Sequence, residues 1–498
     1  MNSTRRDWFV MQAAAALGPV INVRDHGAAG DGSRLDSTAI QHAIDAAARQ
    51  GGGTVYVPAG RYRCGTLRLA SHLTLWIEAG AVLRMSERDE DFEPPETLPY
   101  SPNADRATSR FRHALLYGEG LEHVTIRGEG RIDCGPKRSG GPKPISLKRC
   151  RDVGILGITS ENASSYNISM LGCERVVIDG VTILNGYSDG IDPDCCRSVR
   201  IANCFVESVD DAIVLKASPA LGEVAHTEHV TVTNCVLRTA SIHLKCGTES
   251  RGDFRNITFS NCTLIGGMGG RHGNPGVALY TVDGGTLQGV AVSNITMQNV
   301  GVPLALRLGA RGRGQPTPVP GRLEDIALSN IVAVGAKRPS PFCGIPEALI
   351  RNVTATSIRI QVSRTAAGPA ALEDVPEKAA EYPDPTMFGE LPASGMYLRH
   401  AAGITLRDIH LEGAEGDARP ALTADDVDEL RLLALRVPSY RLHNVRRAEV
   451  LDFSGRAHLR ITGKDTREVV LRPAGAGRPE EYLYRGSEVP AGEVACRP

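Results

Sequence analysis

Aromatic residues are scarce in this chain. Phe, Trp and Tyr make up 5% of its 498 residues, with two tryptophans in all, so the core is not assembled from large rings. Neither sign of charge dominates: Lys+Arg 56 against Asp+Glu 57 gives a formal net charge of -1. That balance excludes the strongly basic surface of a nucleic-acid binder and offers nothing to an anionic membrane. Beyond the N-terminal segment no apolar run approaches the roughly 20 residues needed to span a bilayer. Twelve cysteines are scattered, with one adjacent pair (Cys195, Cys196) and no CxxC. Zinc-ligand spacing is therefore missing and no metal is expected. Neither GxxxxGK[ST] nor a strand-GxGxxG-helix unit occurs, which leaves no expected nucleotide, flavin or other cofactor.

What the chain has in excess is glycine, 54 residues or about 11%, against a usual share of about 7%. Many tight turns and few bulky side chains suit a repeat-built body better than one large globular core. A pattern of apolar-x-apolar-x-(Gly/Asn/Asp) recurs as "VTIRG" from 124, "VGILG" from 153, "VVIDG" from 176 and "VRIAN" from 199, then "VTVTN" from 230, "ITFSN" from 257, "VAVSN" from 290, "IALSN" from 326 and "ITLRD" from 404. The first seven intervals are 29, 23, 23, 31, 27, 33 and 36 residues. Each unit reads as a short strand with alternating faces closed by a turn residue. No unit can bury its apolar face alone, whereas a stack of them shares one core.

The pattern predicts an all-β fold, a right-handed parallel β-helix. Asn203, Asn234, Asn261, Asn294 and Asn330 would lie above one another, each tolerating a left-handed bend and sharing side-chain hydrogen bonds. Cys204, Cys235 and Cys262 follow three of them as small buried fillers. The exposed first rung needs a cap. "DSTAIQHAIDAAARQ" (36–50) supplies a helix with Ile40, Ala43, Ile44 and Ala47 on one face. The expected domains are 1–20, 21–455 and 456–498. The first resembles a twin-arginine export signal through "TRRDWF", the second is the coil, and the third is a tail outside the repeat. The protein is thus expected to be exported, periplasmic or extracellular, and monomeric, with no membrane insertion apart from that segment. Loops 86–113 and 363–395, rich in Pro and charge, are long enough to wall a groove.

The densest cluster of carboxylates lies in "GYSDGIDPDCCRSVRIANCFVESVDDAIVLK". Asp189 precedes Asp210 and Asp211 by 21 and 22 residues, close to one minimal rung, and neighbouring strands lie about 4.8 Å apart. Like charges that close push at least one pKa up. One carboxyl kept protonated beside others kept ionised is the equipment of glycosidic hydrolysis. Turn capping is the plainer alternative for these residues, and cation binding by Asp192 and Asp194 is another.

"NVRDHGAAGDG", "DSTAIQHAIDAA" and "GGGTVYVPAGRY", followed by "SDGID" and "VDDAIVLK", resemble glycoside hydrolase family 28, the polygalacturonase-like enzymes, over roughly residues 21 to 410. The resemblance implies a right-handed β-helix, a polysaccharide or oligosaccharide of the pectin type (galacturonosyl, rhamnosyl or related sugar), inversion at the anomeric carbon, and no metal. Carried over, Asp210 is the general acid, while Asp189 and Asp211 hold and activate the water. Two features depart from the family. The Gly-His-Gly segment is replaced by "TASIHLKCGTES", with His243 displaced, and Ala278 and Tyr280 stand where an Arg-x-Lys pair would bind a sugar carboxylate. Candidate substitutes for substrate binding are Lys216, His243, Lys245, Arg271, His272 and Tyr280, with Arg307 a weaker one. Lys216 and Lys245 occupy matching places in "IVLK" and "IHLK" and are expected to stack. Glu249 reads as a turn cap. A β-helical polysaccharide lyase, with the aspartates holding Ca²⁺ and a Lys as base, and a non-catalytic glycan-binding solenoid are the alternatives.

Overall fold

The computed structural model describes residues 20–96, 107, 110–136, 140–268, 274–364, 372, 375–454, 457–474 and 478–497. The export segment up to residue 19, and Arg271 and His272, lie outside them. The described chain forms two compact units, one running to Val209 and the other from Asp210 onward. Each is a stretch of parallel β-helix.

In the first unit the recurring pentapeptides stack in register. Val124, Val153, Val176 and Val199 form one column, and Ile126, Ile155, Ile178 and Ile201 the next. All eight are buried, each worth about 1.5–3 kcal/mol relative to exposure. Residues between them point outward, as strand alternation requires. The helix Ser37–Arg49 buries Ile40, Ala43, Ile44 and Ala47, the face expected of it. Asp36 does not cap that helix by side chain. Its carboxylate instead accepts from Ala29 N at 2.7 Å and Gly30 N at 3.1 Å, pinning the glycine-rich turn that leads into the coil.

The second unit has a column of its own, Val230, Ile257, Val290, Ile326, Val353, Ile404 and Leu430. Its asparagine corners behave as expected. Asn234, Asn261, Asn294 and Asn330 sit at φ 53, 54, 55 and 52, a left-handed bend that asparagine tolerates better than most residues. Asn294 donates to Asn261 at 3.0 Å and Asn330 to Asn294 at 3.2 Å. Cys204, Cys235 and Cys262 are buried free thiols, as are all the cysteines except exposed Cys496.

One expectation fails here. The coil does not stop near residue 455: Ser439–His443 pairs with His458–Thr462, which pairs with Leu483–Arg485, while Arg446–Ser454 pairs with Arg467–Ala474, and all are parallel. Two of these last strands end as the earlier units do, "YRLHN" in Asn444 at φ 50 and "LRITG" in Gly463 at φ 97, so the pentapeptide pattern itself runs past residue 455.

The second long insertion is anchored from below. Arg307, on the strand Val302–Leu308, is buried and donates to Gly344 O at 2.9 Å, Glu377 O at 2.7 Å and Lys378 O at 3.0 Å. Leu372, Val375, Phe388 and Leu391 then pack on Cys343 and Tyr397 of the coil. No helix among the described residues is long and apolar enough to cross a membrane.

Candidate active site

The paired aspartates open the second unit at the entrance to the strand Ile213–Ala217, and their surroundings differ. Asp211 is buried and tied down: it accepts from Lys245 Nζ at 2.8 Å, Ser241 Oγ at 2.9 Å and Ile242 N at 3.1 Å. Asp210 is less enclosed, and its Oδ1 accepts from Asp211 N at 3.1 Å. Burial pushes the Asp210 carboxyl above the ordinary aspartate range, and the charge of Asp211 adds to that, against the pull of Lys245 and Lys216. Two adjacent carboxyls thus face different demands. One is held in an ion pair, and the other is biased toward keeping its proton.

Lys245 is buried beside Asp211, with side-chain exposures of 4% and 6%. Burial works against its charge, yet Asp211, Tyr382 and Glu249 together hold its pKa well above the ordinary lysine value. Its ammonium also donates to Tyr382 Oη at 3.2 Å. Tyr382 comes from the anchored insertion, so that loop closes over the charged centre.

The expected stacking of the two lysines is corrected by the register. Val214, not Lys216, pairs with Lys245, and Ile213 pairs with Leu244. Asp211 accepts from both Ser241 and Ile242, which sets the rung two residues away from the motif match. Lys216 keeps the same strand parity and stands one side-chain step further along, where its charge bears on Asp210 and Glu249.

His243 is fully buried, with Nδ1 3.0 Å from Pro275 O and Nε2 3.0 Å from Ile265 O. Burial pushes its pKa below the ordinary histidine value. It is a wall residue bound to carbonyls, not one placed to meet substrate. Tyr280 is likewise corrected. It is 1% exposed and belongs to an apolar cluster with Ile242, Ala278, Val302 and Ala305. Where a carboxylate-binding Arg-x-Lys pair was looked for, the chain has an apolar floor.

Glu249 is not a turn cap but the acid of a buried ion network. Arg313 Nη1 donates to it at 2.8 Å. Arg311 grips Asp283 through Nε at 2.9 Å and Nη2 at 2.6 Å. Burial opposes ionisation of Glu249, but Lys216, Arg311, Lys245 and Arg313 hold its pKa below the ordinary value. Arg311, Arg313, Asp283, Ser241 and Tyr382 were not singled out from the sequence. The run "GARGRG" was the available signal for the two arginines.

Asp189 belongs to the first unit, where it is buried with Asp192 and Asp194. Its carbonyl accepts from Asn167 N at 2.9 Å, which fixes the backbone ahead of the strand Ile191–Asp194.

Residues 20–75 match the family described as "Rhamnogalacturonase A/epimerase, pectate lyase-like", and residues 103–335 match "Glycosyl hydrolases family 28". The chain is 28% identical over 301 residues to a probable polygalacturonase of Vitis vinifera, covering 55% of this chain and 60% of the relative. It is 22% identical over 399 residues to the exo-poly-α-D-galacturonosidase of Dickeya chrysanthemi, covering 67% and 65%. The chain therefore spans less than two thirds of the length of either relative. In fold it is similar to the family 28 exopolygalacturonase of Yersinia enterocolitica, with a TM-score of 0.60 at 20% identity over 85% of this chain and 78% of that one. By the match of residues 103–335, on the coil just described, this part of the chain is similar to glycosyl hydrolase family 28, the polygalacturonase-like enzymes.

Proposed function

We propose that this protein is an inverting glycoside hydrolase acting on a pectin-type glycan. The observation that carries the reading is the unequal pair: Asp210, whose carboxyl is pushed toward the protonated form, beside Asp211, which is clamped by Lys245. In this scheme Asp210 gives its proton to the glycosidic oxygen as the bond to the anomeric carbon breaks. Asp211 orients the attacking water and takes up its proton, a role that the family resemblance extends to Asp189. The water oxygen enters from the opposite face, and the new reducing end has inverted configuration. Lys245 and Ser241 position Asp211, and Lys216 tempers the acid. The proposal includes export through the twin-arginine-like N-terminus.

The test is product analysis with pectic oligosaccharides, comparing wild type and Asp210→Asn with and without a chelator. The expected result is new reducing ends of inverted configuration by NMR, insensitive to chelator and reduced about 10²–10⁴-fold in the variant. An unsaturated, UV-absorbing, chelator-sensitive product would overturn the reading in favour of a lyase.

A further inference from the structure

We infer that His400 is a positioning residue for the reaction proposed above: as an imidazolium it clasps the second insertion to the coil and so keeps Tyr382 on the Lys245–Asp211 pair. His400 sits on the strand Met396–Glu412 at φ 52, a left-handed corner. Asp426, also at φ 52, occupies the same corner one rung on, between the pairs Arg399–Asp425 and Ala401–Val427. The His400 ring is 7% exposed. Its Nδ1 lies 2.7 Å from Asp426 Oδ2 and its Nε2 lies 3.1 Å from Glu377 Oε1. An ionised carboxylate only accepts, so both bonds form together only when both ring nitrogens carry hydrogen. A neutral ring would turn a lone pair toward one of the two acids.

Those acids belong to different parts of the second unit. Asp426 is fixed to the coil, where Arg446 Nη2 donates to its Oδ1 at 2.9 Å. The bond from His400, with that from Arg446, holds its pKa down to about 2. Glu377 belongs to the insertion. Its carboxylate also pairs with Arg399, while Arg307 grips its carbonyl and that of Lys378. Asp425, whose pKa burial pushes up, faces Arg399 at 3.5 Å, and His443 stands opposite Asp425 on the next rung. The arginines keep their charge at every working pH, whereas His400 does not.

The grip at Glu377 reaches the charged centre through one turn. Glu381 N donates to Lys378 O at 3.2 Å, and Tyr382 follows, accepting from Lys245 Nζ at 3.2 Å. Burial works against a charge on His400, and so does Arg399, yet Asp426 and Glu377 hold its pKa above the ordinary histidine value. The clasp is therefore at full strength below that ordinary value, about 6.5. Its share of the closure is lost as pH rises through the raised value. Each pH unit between the clasped and released pKa changes the closed-to-open ratio about tenfold. The inference rests on the hydrolase reading for the reaction, not for the clasp.

The test compares the full wild-type chain with His400→Gln and Glu377→Gln from about pH 5 to about pH 9. Glu377 is 37% exposed in its side chain, so its variant keeps the test decisive if the His400 variant does not fold. Limited proteolysis of the 375–391 segment and kcat/KM on pectic oligosaccharides are measured at each pH. At about pH 6 each variant should be cut about tenfold or more faster than wild type, with the gap closing toward about pH 9. The wild-type advantage in kcat/KM should follow the same course. Taking ratios at each pH cancels the protease's own pH dependence and the titration of Asp210. A cleavage gap that does not change with pH, or no gap in either variant, would overturn the clasp. A pH-dependent gap with a flat kcat/KM ratio would overturn the positioning role. A pH-dependent gap without any turnover supports the clasp and removes the hydrolase reading.

Discussion

Replacing Lys245 with methionine would strand a buried carboxylate. Lys245 Nζ lies 2.8 Å from Asp211 Oδ2, and both side chains are almost wholly shielded from solvent. Removing one member of such a pair costs about 3–5 kcal/mol, because the other charge remains buried without its counter-ion. Methionine keeps the apolar stem, so the packing loss is small. Unfolding entropy of about 2.1 cal/mol/K per residue gives about 1 kcal/mol/K for 498 residues, hence a fall in Tm of about 3–5 °C. Scanning calorimetry at neutral pH reads this directly. The double variant Lys245→Met/Asp211→Asn removes both charges and should recover most of the loss, a coupling that only interacting partners show. A kinetic signature accompanies it. Lys245 holds down the raised pKa of Asp210, so its loss should move the alkaline limb of the pH–rate profile upward. A Tm change below about 1 °C, or a double variant no more stable than Lys245→Met, would refute the claim that this pair is buried and ionised.

Two further outcomes are expected. Asp210 has a raised pKa in the folded state through burial and Asp211. Folding therefore binds its proton more tightly, and native stability falls as pH rises from the ordinary aspartate range through the raised value. Asp210→Asn should accordingly melt above wild type at neutral pH, with the gap closing below the ordinary aspartate pKa. Melting curves from about pH 3 to about pH 8 check this, and a gap that does not vary with pH would contradict it. Arg307→Lys cannot reproduce a planar fork that serves carbonyls of Gly344, Glu377 and Lys378 at once. Limited proteolysis should cut the 375–391 segment faster in this variant, with KM raised more than kcat is lowered. Unchanged cleavage would mean that the apolar anchor at Phe388 and Leu391 suffices alone.

The parts of this molecule that repeat were the parts that could be read in advance. A column such as Val124–Val153–Val176–Val199 is written locally, since each rung must place apolar residues two apart and bend at a tolerant corner. The capping helix and the Asn234, Asn261, Asn294 and Asn330 corners follow from the same local demands. The aspartate pair stood out for a local reason too, because adjacent carboxylates before an apolar strand are costly without a role, and that role is the one proposed above. Loop closure was not. Tyr382 reaches Lys245 across 137 residues, and Arg313 reaches Glu249 across 64, distances over which no periodicity survives. The lysine register was misread for a related reason: "IVLK" and "IHLK" match as strings, while hydrogen bonds from Ser241 and Ile242 to Asp211 decide which residues face each other. Arg307 and His243 look like site residues by type. Both are bound instead to backbone carbonyls that strand pairing leaves over, a need that shows only once the coil is closed.

The asparagine ladder has a consequence for how such a chain can change over time. Asn261, Asn294 and Asn330 are linked side chain to side chain although 33 and 36 residues separate them. Corner spacing in the coil is therefore independent of how much chain hangs between corners, and lengthening a loop adds little entropic cost. Insertions can be accepted, enlarged or lost at the surface while the rack beneath keeps its pitch. Ancestry is then recorded in the corners, and diversification is concentrated in the loops between them.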